Sequence, residues 1–272
     1  MNPLLSVLLL GLALASPPPE PLDVRSSDQV EAAEDQLLGF LEAADVVSSE
    51  VIESGITRPL RLTLTDGTTT RDAIFRAIDR TEIDRRRDGQ LVRIRDHWAF
   101  EVAAYRLARR LGLERVPPTT TREIDGRRGS IQIWVEDATG GTELVVRSAE
   151  RGPEGIAERD TVLREMALFD LLIRNYDRHL DNVLYDAQGR FWWIDHSRSF
   201  PPVGSLRVAP SRAQCALPLA GKIAGLEPRA VREDLRDVLT RRELSSLLQR
   251  RSELVAVCRE GGSEPLAAPT TF

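Results

Sequence analysis

Three oxygen-bearing side chains, Asp177, Asn182 and Asp195, fall where a short hairpin would gather them. An apolar helical run, Met166 to Ile173, leads into a polar loop, Asn175 to Asp181. Two β-type runs follow, Asn182–Tyr185 and Arg190–Ile194, separated by Asp186-Ala187-Gln188-Gly189, a hairpin signal. Strands this short bring the end of the second back beside the start of the first. Asp177, Asn182 and Asp195 are therefore expected at one mouth. Phosphoryl transfer to a hydroxyl uses such a set: one Asp orients the hydroxyl, while an Asn and a second Asp hold the divalent metal. Mg²⁺ and Mn²⁺ are hard cations and suit oxygen ligands. A plainer reading leaves Asp177 or Asp181 capping loop amides and Asp195 capping a turn, but it does not explain the joint spacing.

Asp-x-x-x-x-Asn is also the spacing of the protein-kinase catalytic loop. Asp177-Arg178-His179-x-x-Asn182, followed by Ile194-Asp195-His196, resembles the catalytic and metal-binding loops of the atypical kinases. That group includes the phosphatidylinositol 3- and 4-kinases, the HipA-type kinases and the secretory-pathway kinases resembling the Golgi casein kinase. The resemblance extends over roughly residues 50–215. Leu64-Thr65-Asp66-Gly67 to Ala73-Ile74-Phe75-Arg76 resembles the strand pair that carries the ATP lysine. Phe100 to Tyr105, containing Glu101, resembles the αC-type helix, and Val116-Pro117-Pro118 to Ile131–Glu136 the strands leading to the hinge.

The resemblance implies a two-lobed α+β kinase-like fold, with a small antiparallel-sheet N-lobe and a mainly helical C-lobe. It implies ATP and Mg²⁺ or Mn²⁺ as cofactors and a hydroxyl-bearing acceptor, whether protein, sugar or lipid. Asp177 would orient or deprotonate the acceptor, and Asn182 and Asp195 would hold the metal. Arg178 and His179 would order the loop or touch the γ-phosphate. Arg76 and Glu101 would position the nucleotide, with Trp134 and Glu136 near the adenine; Trp134 equally suits plain core. Arg76 departs from the pattern, which has lysine there. Arginine is always charged and forks toward phosphate, but the two are not interchangeable. That departure keeps open a pseudokinase that binds nucleotide or a partner without catalysis. A metal-dependent hydrolase built on His179, Asp181, Asp195 and His196 is the third possibility.

Other elements must position these groups. Residues 28–49 show helical periodicity, with Asp28 as a cap. Residues 58–79 read as a hairpin turning at Asp66-Gly67, and 80–95, dense in Arg with interleaved acids, as a solvated loop. A helix is expected over 96–112, stopped by Gly112, with His97 solvated or capping its start. A second hairpin turns at Asp125-Gly126 within 119–136. A Gly-rich polar crossing spans 137–157, and a helix over 158–174 supports the loop at Asp177. After Pro201-Pro202 the chain is helical by pattern, notably over 231–239 and 244–257.

The chain has 272 residues, 42% apolar and 29% charged, enough for two lobes with a core. Its net charge of −5 argues against non-specific nucleic-acid binding, which needs a basic face. Leu4 to Ala15 is an apolar run of signal-peptide length, too short to span a membrane, with Ala13-Leu14-Ala15 as a cleavage site. The organisation expected is a signal peptide over 1–15, a linker over 16–27, an N-lobe over 28–137, a C-lobe over 138–260 and a tail over 261–272. Export, to a periplasm or the exterior, follows from the first of these. It would permit a bridge between Cys215 and Cys258, the two cysteines; two free buried thiols are as compatible with the sequence.

Overall fold

The computed structural model describes residues 27–53, 58–85 and 91–262. The expected signal peptide, most of the linker and residues 263–272 of the tail lie outside the described residues.

A five-stranded antiparallel sheet forms the smaller apolar unit. Its strands are β1 (Asp45–Val51), β2 (Leu60–Thr65), β3 (Thr70–Arg76), β6 (Thr119–Ile124) and β7 (Arg127–Ile133), in the order β1-β2-β3-β7-β6. The alternation Leu60, Leu62, Leu64 puts Leu62 and Leu64 on the inner face with Ala73 and Phe75 of β3. Helix α1 (Ser27–Ala43) covers that face through Leu41. Gly129 of β7 is required by close approach: a Cβ there would stand 2.3 Å from the Arg76 carbonyl and 2.7 Å from the Phe75 ring.

The larger core gathers α2 (Ala99–Arg110), α4 (Gly152–Ile173), the short strands β9 (Val183–Tyr185) and β10 (Phe191–Trp193), and the helices α6 (Pro218–Gly225), α7 (Pro228–Leu235) and α8 (Arg241–Arg259). Trp193, Phe169, Phe191 and Phe200 are fully buried there. Burying each such ring contributes about 2–3 kcal/mol. Although α2 lies between strands of the smaller sheet in sequence, its Phe100, Ala103, Ala104 and Leu107 belong to this larger cluster. Among the described residues no helix is long and apolar enough to cross a membrane.

Three stretches depart from their sequence expectation. The helix expected over 28–49 ends at Ala43, where Ala44 N–H closes the last turn on the Phe40 carbonyl. The β-branched pair Val46-Val47 then continues as the edge strand β1. The stretch over 80–95 is not a solvated loop. It is a hairpin of β4 (Asp79–Arg85) and β5 (Leu91–His97), in register from Asp79↔His97 to Arg85↔Leu91. Its cross-strand pairing is ionic, as in the two hydrogen bonds from Arg95 to Asp79, so hydrophobic alternation does not reveal it. The crossing over 137–157 contains β8 (Thr139–Gly140), which joins β9, and α3 (Gly141–Glu150); α4 already begins at Gly152, with Pro153 in its first turn.

Cys215 and Cys258 are bridged, tying the short helix α5 (Arg212–Cys215) to the end of α8. Arg250 of α8 is fully buried and donates to the carbonyls of Leu172, Pro201 and Val203. Burial, reinforced by nearby Arg174, pushes its guanidinium down to about 9. Its charge clamps the end of α4 to the segment after Phe200.

Candidate active site

The loop between α4 and β9 is held from beneath. Arg178 donates to Asp170 at 2.8 Å and to the carbonyls of Asn182 and Ile194 at 3.0 and 2.7 Å. Its guanidinium is thereby committed to ordering the loop, one of the two roles expected of it. One turn of 3₁₀ helix, Leu180–Asn182, leads into β9. Ile194 N–H then bonds the Asn182 carbonyl at 3.0 Å, just past the Val183↔Trp193 pair. The hairpin thus sets Asn182 beside Ile194-Asp195, the convergence expected from the strand lengths.

Asp177 sits at the same mouth. The Asn182 amide donates to the Asp177 carbonyl at 3.0 Å, and Asp177 N–H bonds the Asn175 side chain at 3.0 Å. Burial pushes the Asp177 carboxyl up, Arg198 at 3.3 Å pulls it down, and the charge of Asp195 pushes it up again; the balance is upward. Asp195 occupies the left-handed region at φ +59, which Asp tolerates better than most residues, and accepts from Ser197 Oγ at 3.1 Å.

Arg76 and Glu101 form a buried pair at 3.8 Å, too long for a hydrogen bond. Burial pushes the Glu101 carboxyl up. Arg76 and His196, whose backbone N–H donates to Glu101 Oε2 at 3.1 Å, overcome it and hold the carboxyl at about 2. Glu101 therefore joins β3, α2 and the residue after Asp195 through one carboxylate.

Other expected residues stand elsewhere. His179 is half-exposed, with Nδ1 3.4 Å from Asp181. The Trp134 ring lies under the Arg61 guanidinium, 4.4 Å from ring centroid to carbon. With Glu136 it lines a cavity of about 760 Å³ that none of Arg76, Glu101, Asn182 or Asp195 lines. His97 caps α2, its Nδ1 accepting from Ala99 N–H at 3.0 Å. The hydrolase set does not assemble. His196 is fully buried against Glu101 and Phe169, and among the described residues no group of three His, Cys, Asp or Glu side chains is placed to hold a metal.

Sequence reasoning missed Arg198. It reaches Asp177 at 3.3 Å, Asp96 at 3.3 Å and Glu82 at 3.2 Å, so the β4–β5 hairpin braces the loop through it. Its position three residues after Asp195 was the available signal. His97 N–H adds a bond to the Ser197 carbonyl at 2.9 Å.

The donor set fits a hard cation. With Nδ2 engaged, Asn182 keeps its Oδ1, and Asp195 keeps the oxygen not bonded to Ser197. Two protein oxygens completed by phosphate oxygens and water suit Mg²⁺ or Mn²⁺.

Comparison with solved structures bears on the architecture. The hydra Fam20 structure with sugar superimposes with a TM-score of 0.62, covering 87% of this chain and 91% of that one at 17% identity. The Golgi casein kinase gives a TM-score of 0.58, covering 87% of this chain and 76% of that one at 15% identity. Its form with Mn and ADP bound gives 0.57, covering 89% and 81% at 14% identity. The chain has the kinase-like fold of these proteins. In sequence it is 28% identical to Protein Rv2133c of Mycobacterium tuberculosis over 134 residues, 40% of this chain and 48% of that protein. The match thus spans about half the length of that relative. No family model matches. The two-lobed α+β arrangement expected from the resemblance is what the structure contains.

Proposed function

We propose that the protein is a divalent-metal-dependent phosphotransferase that moves the γ-phosphoryl group of ATP to a hydroxyl. The observation that carries this is the gathering of Asp177, Asn182 and Asp195 around one hairpin mouth, with the buried Arg76–Glu101 pair tied to the same turn through His196. The fold of a casein kinase solved with Mn and ADP supports it. Asp177 would accept the hydroxyl proton as the oxygen–phosphorus bond forms and the bond to the β-phosphate oxygen breaks. Its raised pKa suits a group that must take up a proton. Asn182 and Asp195 would hold the cation, which supplies charge neutralisation on the phosphates. Arg76 would contact phosphate from its anchor on Glu101.

Export is part of the proposal, supported by the Leu4–Ala15 run and by the Cys215–Cys258 bridge, which an oxidising compartment maintains. The acceptor is a hydroxyl on a protein, sugar or lipid.

Thermal melting with ATP and Mn²⁺ or Mg²⁺ tests this, beside Asp195→Ala. Ligand at about 100 times its dissociation constant stabilises by about 2.7 kcal/mol. A metal-dependent shift lost in the variant is the expected result; no shift in either protein refutes the phosphotransferase. The pseudokinase is the second reading, favoured by Arg76 in the lysine position and by Arg198 resting on Asp177. Activity gained by Arg76→Lys would mark a degenerate kinase. Inactivity of both forms, with ADP or ATP still bound, would mark a binding module.

A further inference from the structure

A cavity of about 630 Å³ lies between one face of α4 and the segment 207–214, with Arg178, His179 and Leu180 of the catalytic loop as a wall. Its floor is a helical stripe, Leu163, Ala167 and Leu171, left partly uncovered on α4. Arg164, Arg174 and Arg207 stand around it. Among the described residues no carboxylate pairs with any of the three. Arg164 donates only to Thr161 Oγ1 at 3.2 Å, and Arg174 to Tyr176 Oη and the Ser205 carbonyl. Asp170, the acid in the lining, is already neutralised by Arg178. The far wall, Ser211 and Gln214, is fixed by a capping box and by the Cys215–Cys258 bridge.

An apolar floor under an uncompensated cationic rim selects one ligand chemistry. The apolar part supplies burial, and a planar anion answers the forks of the arginines. The volume lies within the roughly 300–1,000 Å³ usual for small-molecule sites. We propose that this cavity binds a free single-chain carboxylate of fatty-acid type, its chain along Leu163, Ala167 and Leu171 and its carboxylate at Arg164 and Arg207. The wall formed by Arg178–Leu180 makes occupancy felt in the loop that carries Asp177. The regulatory meaning of that contact rests on the phosphotransferase reading; the binding itself does not.

The probe is sodium dodecanoate below its micelle concentration, titrated calorimetrically into the full chain, with dodecan-1-ol and dodecyltrimethylammonium as controls. Saturable one-to-one binding of dodecanoate is expected, with slowed hydrogen exchange over residues 176–182. Losing its charged hydrogen bonds should weaken binding at least about tenfold in the exposed pair Arg164→Glu/Arg207→Glu, with melting unchanged. Ala167→Trp should fill the floor and abolish it. Absence of saturable binding to the unaltered protein overturns the proposal. So does equal affinity for the neutral or cationic probe, or undiminished affinity in the charge-reversed pair. A dimer dissociated by Ala167→Trp, with no dodecanoate bound, would show that a second copy covers the face instead. The ATP–Mn²⁺ melting shift, run on the same samples, separates failure of this site from failure of the kinase site.

Discussion

Glu101→Gln is the most informative single change, because one carboxylate holds three elements. The side chain is 1% exposed, faces Arg76 at 3.8 Å and accepts the His196 N–H at 3.1 Å. The amide keeps the shape and a hydrogen-bond acceptor while removing the charge, so Arg76 is left buried without its counter-ion. Breaking a buried pair from one side costs about 3–5 kcal/mol. Proton linkage gives a comparable figure: a carboxyl lowered from 4.5 to about 2 contributes about 3 kcal/mol, at about 1.4 kcal/mol per pH unit. The sign follows from the depressed value. The stabilisation is complete above pH 4.5 and is lost as pH falls toward about 2. Urea unfolding of both proteins at pH 7, 5, 4 and 3 measures it. The variant should be less stable by about 3 kcal/mol at pH 7, and the gap should narrow between pH 4.5 and 3. A variant as stable as the parent at pH 7, or a gap independent of pH, would refute the account of Glu101 as the charged anchor.

Reducing Cys215–Cys258, or replacing both with Ser, should cost about 4 kcal/mol for a separation of 43 residues. The melting temperature would fall by about 8–16 °C, and an unchanged melting curve would contradict this. Asp195→Gly should relieve the left-handed backbone at φ +59, stabilising by up to about 1 kcal/mol while abolishing the metal-dependent ATP shift. Destabilisation on urea unfolding would show that the Asp195 side chain contributes more than its backbone costs. Arg198→Ala removes the arginine charge that pulls the Asp177 pKa down, so that pKa should rise further. Carbon-13 NMR of the carboxyl, or the acid limb of the pH–rate profile, should move to higher pH; movement to lower pH would exclude Arg198 as the stabilising charge.

The hairpin mouth was legible because chain geometry alone forces it. Strands expected at four or five residues, and found at three, leave little freedom in where Asn182 and Asp195 meet. The buried partner of Arg76 was legible only through the resemblance, since nothing in helix periodicity distinguishes Glu101 from an exposed acid. The β4–β5 hairpin was hidden for a physical reason. Its strands are held by cross-strand charge pairs, so the hydrophobic period that marks β2 and β3 is missing. His196 entered only the hydrolase alternative, because a histidine near acids suggests metal. Its backbone N–H, not its ring, makes the hydrogen bond to Glu101, and backbone donors leave no trace in residue type.

Arg198 and Arg178 show how the two halves of the site depend on each other. Arg178 holds the loop from the α4 side, through Asp170 and two carbonyls. Arg198 holds it from the hairpin side, through Asp177, Asp96 and Glu82. Asp96 is almost fully buried, so its pair with Arg198 is shielded from solvent and salt, whereas Glu82 and Asp177 are partly exposed and screened. The bond to Asp96 therefore fixes Arg198, and the contact with Asp177 is the one that yields. On the phosphotransferase reading, an acceptor hydroxyl approaching Asp177 would have to displace only the weaker, solvated contact, while the hairpin stays docked. That division makes Arg198 a support whose charge tunes Asp177 without sealing it.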